Sequence, residues 1–175
     1  KIKVDQVCIG SCTNASYLDL MRVAAILKGK TVAENVSLTI SPGSKQVMNM
    51  LARNGALADI INAGARILEC ACGPCIGMGQ SPATNAVSLR TFNRNFYGRS
   101  GTASAQVYLV SPETAAISAI NGYLSDIREI GDLSILDIEM PKEFEVNDNM
   151  IVAPAENSAD VEVVRGPTIK PFPLN

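Results

Sequence analysis

From residue 4 to residue 125 the chain alternates short apolar runs with helical patterns, and that alternation limits its fold more than any other feature. Val4-Asp5-Gln6-Val7-Cys8-Ile9 reads as a strand that runs into a polar loop, Gly10-Ser11-Cys12-Thr13-Asn14. Ser16 is placed as a helix N-cap, with Asp19 three residues on to complete a capping box. Leu20, Val23, Ala24 and Leu27 then share one helical face, and Gly29 stops the helix. Residues 36–40 form a second strand, followed by Ser41-Pro42-Gly43-Ser44 and a helix with Val47, Met50 and Leu51 facing inward. A short helix over residues 57–63 precedes Gly64, and the apolar residues 65–69 read as a short buried strand. Residues 87–92 and 106–110 are two more strands, and Ser111-Pro112 opens a helix with Ala115, Ala116, Ile117, Ala119, Ile120 and Leu124 on its buried face, after which residues 135–138 and 150–152 read as short edge strands.

Such a pattern predicts an α/β fold, a three-layer α/β/α sandwich around a mainly parallel sheet. Sites in such sheets lie at the carboxyl ends of the strands. The loops carrying Cys12, Cys72 with Cys75, and Asn93 with Arg94 and Arg99 all follow strands, so they are expected to meet on one edge.

Cys70-Ala71-Cys72-Gly73-Pro74-Cys75 places three cysteines in six positions, with Gly73-Pro74 as a tight turn that aims Cys72 and Cys75 at one point. A Cys-x-x-Cys loop at a strand end is a redox pair, half of a zinc site or part of an iron–sulfur site. With Cys12 it makes three thiolates without an obvious fourth ligand, which would leave one iron of a cluster open to act as a Lewis acid. The alternative is a redox or structural pair with Cys12 unrelated. Cys8 lies within a strand and reads as core, while Cys70 is ambiguous. The chain has no histidine, which removes the usual general base and mixed Cys/His zinc sites.

Composition bounds the rest. Five cysteines, an odd number without a signal peptide, fit a reducing, cytoplasmic compartment. A net charge of −2 spread along the chain gives no footprint for nucleic acid or membrane. No apolar run reaches the length of a membrane span. A hydrophobic content of 47% over 175 residues suggests a surface that other domains cover. Arg94 and Arg99 suit a di- or tricarboxylate through bidentate pairs, or are two solvated side chains of a polar loop. Pro42-Gly43-Ser44 opens a helix and reads as ordinary capping, with anion binding as the alternative.

In order along the chain, Gly10-Ser11-Cys12-Thr13-Asn14, Pro42-Gly43-Ser44, Cys72-Gly73-Pro74-Cys75-Ile76-Gly77 and Asn93-Arg94-Asn95-Phe96-Tyr97-Gly98-Arg99 resemble the third, cluster-binding domain of the aconitase family. That family includes aconitase, homoaconitase and the isopropylmalate dehydratase large subunit. The resemblance is dense over residues 4–125 and loose beyond. It implies a [4Fe–4S] cluster on Cys12, Cys72 and Cys75, with a labile fourth iron that binds substrate. It implies that Asn93 lies beside the cluster and that Arg94 and Arg99 grip the carboxylates of a small di- or tricarboxylate.

The implied reaction is a hydro-lyase step, dehydration and rehydration that moves a hydroxyl between adjacent carbons, as in citrate to isocitrate through cis-aconitate. The family's catalytic histidines and serine base lie in its other domains. The chain is therefore expected to partner those domains, to be inactive alone, and to lose the cluster when isolated. Residues 1–130 are expected as the core, 131–165 as an extension packed on it, and 166–175 as a linker to a swivelling last domain. Such a linker tilts the reading toward aconitase, because isopropylmalate dehydratase carries that domain as a separate subunit.

Overall fold

In a computed structural model, which describes residues 1–170 and 173, β1 (Gln6–Ile9), β2 (Ser37–Ile40), β3 (Arg66–Ile67), β4 (Val87–Arg90) and β5 (Gln106–Leu109) form one sheet. All pairings between these strands are parallel and the order across the sheet is β3-β2-β1-β4-β5. The α/β class with a parallel sheet is therefore as the alternation predicts. The chain leaves β1 toward one side and returns to β4 on the other, which makes the carboxyl ends of β1 and β4 a topological switch point. Cys12 follows β1, and the Asn93–Arg99 loop follows β4.

The helices are α1 (Tyr17–Leu27), α2 (Lys45–Arg53), α3 (Ala56–Asn62) and α4 (Pro112–Asn121). Their starts are local chemistry. Ser16 Oγ accepts from the Asp19 amide at 3.2 Å while Asp19 Oδ2 accepts from the Ser16 amide at 3.0 Å, the expected capping box. Ser44 and Ser111 cap α2 and α4 through the amides of Val47 and Thr114, both at 3.2 Å.

The helices form one mutually packed layer, since α1 touches α2, α3 and α4. Val7, Ile9, Leu38, Ile40 and Leu89 point into the core beneath that layer. The alternate strand positions face the other way by the period of two. Those positions carry Gln6, Cys8, Thr39, Ser88 and Arg90, all buried. Over the cysteine segment the regular structure is a 3-10 turn, Pro74–Ile76, and this second face of the sheet is polar.

Three expectations need correction. The strand over residues 65–69 is only Arg66–Ile67, at the sheet edge, with Arg66 exposed rather than buried. Having β2 as its one neighbour, it makes a last ladder bond from Leu68 N to Ile40 O at 2.8 Å before the chain turns away. Residues 135–138 are not a strand. Leu133–Leu136 is a 3-10 helix, because the Asp132 carboxylate takes the Ser134 amide at 2.9 Å and offers a local bond in place of a ladder. Residues 150–152 are exposed and not in a strand.

Lys1–Glu145 is one compact unit and the chain from Val146 onward is another. Within the first, Phe144 meets Tyr17 edge-on at 5.9 Å between centroids, and Glu145 takes Arg53 and Asn49 side chains at 2.9 Å each. In the second, every described residue is exposed, and a 3-10 turn at Ser158–Asp160 is capped by Asn157. Pro171, Phe172, Leu174 and Asn175, on which much of the expected linker falls, lie outside the described residues. Among the described residues no helix is long and apolar enough to cross a membrane.

Candidate functional site

The loop after β1 is held from both sides. Gly10 has φ +140°, and a Cβ there would run into the Ser41 carbonyl, so only glycine lets β1 pass the end of β2. Thr91, just past β4, clamps Gly10 twice: its Oγ1 accepts from Gly10 N at 2.9 Å and donates to Gly10 O at 2.8 Å. The Asn14 side-chain amide donates to the Thr91 carbonyl, so Asn14 orients this loop. Cys12 projects from it into solvent with its sulfur 3.5 Å from Thr13 Oγ1. Thr13 pulls the Cys12 thiol pKa below its ordinary value, and Ser11 and the neighbouring Cys72 thiol act in the same direction. Cys72, some 60 positions further along the chain, thus lies near enough to act on the Cys12 thiol.

The cysteine loop closes on itself through Met78 N to Gly73 O at 2.9 Å and Gly77 N to Pro74 O at 3.0 Å. Its two principal thiols diverge in environment. Cys72 is exposed, whereas Cys75 is buried against Cys8 and Phe92. Cys8 is core, as its strand position predicts, and burial raises its pKa. Cys70 turns to α2, where its sulfur lies 3.9 Å from Met48 Sδ. Partial burial, then the Glu69 carboxylate, raise its pKa. All five cysteines are free thiols, and among the described residues no three Cys, Asp or Glu side chains sit close enough to bind a single metal ion.

The loop after β4 brings one of its two arginines to a cysteine. Arg99 Nη2 donates to Cys75 Sγ at 3.5 Å, and its guanidinium carbon lies 5.2 Å from the Phe96 ring centroid. Its Nε is buried without a hydrogen-bond partner among the described residues. Arg94 and Asn93 are exposed, and no hydrogen bond is formed by either side chain among the described residues. Asn95 serves the backbone, donating to Val107 O at 2.9 Å. An open cavity of about 260 Å³ borders this loop, lined by Phe96, Tyr97, Arg99, Ser100 and Val107, without a cysteine in its wall.

Sequence reasoning did not single out Arg90, Gln6, Ser88 or Thr91. Arg90 is 1% exposed and donates to Ser88 Oγ at 3.0 Å, Gln6 Oε1 at 3.0 Å and Pro74 O at 2.6 Å. The available signal was the alternation Val87-Ser88-Leu89-Arg90, polar on every second residue where a sheet buried on both faces is usually apolar throughout.

A doubly wound parallel sheet with thiols and a guanidinium gathered at its switch point defines the class. The profile of the Aconitase family (aconitate hydratase) matches residues 1–122. The chain belongs to the aconitase family. It is 45% identical over 129 residues to the homoaconitase large subunit of Thermus thermophilus, covering 73% of this chain and 31% of that one. It is 44% identical over 128 residues to 3-isopropylmalate dehydratase large subunit 2 of Archaeoglobus fulgidus, with 73% and 31% covered. The 3-isopropylmalate dehydratase large subunit of Clostridioides difficile is 47% identical over 131 residues, with 74% and 31% covered. The chain thus spans a little under a third of the length of these relatives.

Proposed function

We propose that this chain is the iron–sulfur-bearing part of a hydro-lyase large subunit that dehydrates and rehydrates a hydroxy di- or tricarboxylate of the 3-isopropylmalate or homoaconitate kind. The names carried by its relatives support these substrates over citrate and isocitrate, toward which the expected C-terminal linker had tilted the reading. Cys12, Cys72 and Cys75 would hold the [4Fe–4S] group. Soft thiolate donors on two loops suit iron and sulfide. The observation that carries the reading is the contact of Arg99 with Cys75 at one sheet edge, where the buried Arg99 Nε has no hydrogen-bond partner among the described residues.

When bound, the cluster supplies a Lewis acid for the substrate's hydroxyl and carboxylate. The chain's own residues do the rest of its share. Thr13 favours the thiolate form of Cys12, the form that ligates metal. Arg99 sits over Phe96 with donors directed at the thiol edge, and Arg94 stands in solvent on the same loop, where a carboxylate can take both arms of its fork. Asn93 lies between them and the end of β4, within the same exposed turn. Proton transfer to and from carbon and oxygen needs groups from elsewhere, since the chain has no histidine.

Anaerobic addition of iron and sulfide tests this. A brown species with broad violet absorbance is expected, lost in Cys12→Ser, Cys72→Ser and Cys75→Ser and kept in Cys70→Ser. Retention of the chromophore in any of the first three would reassign the ligand set. In the whole enzyme carrying this sequence, 3-isopropylmalate or homoaconitate should turn over faster than citrate, and the opposite preference would restore aconitase as the reading. The chain alone is expected to be inactive, because loss of a general acid or base costs ~10²–10⁴-fold each.

A further inference from the structure

Arg90 is the one guanidinium buried to 1% exposure, and it lies under the cysteine turn rather than at the exposed edge. Its strand neighbours explain how it is held. Register places Gln6 opposite Ser88 and Cys8 opposite Arg90, so all four share the polar face of the sheet. Ser88 Oγ donates to Gln6 Oε1 at 2.6 Å and accepts from Arg90 Nε, while Gln6 Oε1 also accepts from Arg90 Nη2. The remaining arm, Nη1, reaches the carbonyl of Pro74, the residue just before Cys75, at 2.6 Å. The other amide arm of Gln6 donates to Ser81 O at 3.0 Å, so one network grips the turn at both ends. From the sheet edge Arg66 adds Gly79 O and Gln80 Oε1, both at 3.0 Å.

No carboxylate pairs with Arg90 among the described residues. A guanidinium stays protonated in proteins, and a buried charge without a counter-charge is costly. The thiols of Cys8 and Cys75 are the groups whose charge acts on Arg90 favourably. A side chain serving only to fill the face would be served as well by an apolar residue. A cation with a fork fitted to the Pro74 carbonyl suits a turn that has to keep its shape while it carries anionic sulfur.

We infer that Arg90 is a positioning residue: it fastens the Cys72–Cys75 turn to the sheet through the Pro74 carbonyl and so sets the separation of the two thiols. This rests on the cluster reading for its purpose, but not for its geometry. Arg90 touches neither substrate nor the reacting edge and acts through the turn.

Amide hydrogen exchange on the iron-free 175-residue chain reads the geometry directly. Gly77 and Met78 amides, bonded to Pro74 O and Gly73 O, report the turn, and α1 amides report the fold. In Arg90→Met the turn amides should exchange roughly tenfold faster or more, with the α1 amides close to wild type, since a hydrogen bond to a charged group is being removed beneath the turn alone. Arg90→Lys keeps the charge and a single donor direction, and should fall between the two. It also serves if Arg90→Met does not fold. Turn amides unchanged in Arg90→Lys and Arg90→Met, or turn and α1 amides accelerated together, would overturn the inference. A second arm adds iron and sulfide and follows iron retained against a chelator. Faster iron loss in Arg90→Lys than in wild type is expected, and equal loss overturns the role in ligand spacing. If wild type takes up no iron, the cluster reading fails while the exchange result still decides what Arg90 does to the turn.

Discussion

Arg94 and Arg99 are chemically identical and differ entirely in what they touch. Arg99 meets Cys75 and lies over Phe96, whereas Arg94 stands in solvent. Replacing either by lysine keeps the charge and loses the planar fork, so in the whole enzyme each is expected to lower kcat/KM roughly tenfold or more. Unchanged kinetics in both would return them to a solvated loop. Only Arg99→Lys should also speed alkylation of Cys75 in this chain, because only Arg99 covers that sulfur. Cys12 gives the pH prediction. Its thiol pKa is lowered, first by Thr13, so the thiolate fraction rises at lower pH than in a free cysteine. Labelling by iodoacetamide, followed by mass spectrometry across pH, should reach its half-rise for Cys12 at lower pH than for a free cysteine in the same assay. Thr13→Val should move that half-rise upward, and no movement would remove Thr13 from this role. Cys8, buried and raised, should label last. The sequence identified each of these thiols by spacing, yet nothing in spacing separates an exposed Cys72 from a buried Cys75. That difference arises from which side of a 3-10 turn faces the sheet.

Besides the Arg99–Cys75 contact, the cysteine turn and the arginine loop approach each other backbone to backbone at Gly77 and Ser100. Gly77 has φ +82°, and a Cβ on it would meet the Ser100 carbonyl; a Cβ on Gly101 would meet Ser81 Oγ. Ser81 Oγ in turn donates to Ser100 O at 3.1 Å. Gly77→Ala is therefore expected to push the two loops apart. It should destabilise the chain by on the order of 1–3 kcal/mol through backbone strain and overpacking, read as a lower midpoint in urea. It should also loosen iron binding. A variant as stable as wild type would mean that the loops yield without cost. Gly29→Ala is the control, since its φ is also positive but its Cβ would meet nothing within 4 Å. Any excess of Gly77→Ala over Gly29→Ala measures the close approach itself. Helix caps at this scale were readable because Ser16, Ser44 and Ser111 each satisfy an amide three residues away, a purely local bond. The third strand is shorter than the sequence predicts because its length depends on how much of β2 remains to pair with, which no local pattern carries.

Across the whole molecule, order is concentrated in Lys1–Glu145, and from residue 146 to residue 170 every side chain is exposed. Backbone without buried contacts is where proteases cut first. Limited digestion should cleave between residues 146 and 170 and leave a resistant product ending near Glu145, identified by intact mass. Early cuts within α1 or α4 would contradict the packing of the helical layer.

The sequence by itself determined the α/β class, the parallel sheet, the helix caps and the position of the Cys12 and Asn93–Arg99 loops after the carboxyl ends of β1 and β4. These follow from periodicity, from local hydrogen bonds and from the rule that parallel strands end on the same side. Tertiary structure alone decided the strand order and the unequal dressing of the two sheet faces. It decided the meeting of Arg99 with Cys75 and the placing of Arg90 beneath Pro74. Each of these joins residues far apart in the chain. Their meeting is set by which strands lie side by side and by how buried polar groups must find partners, and neither is written in any one segment.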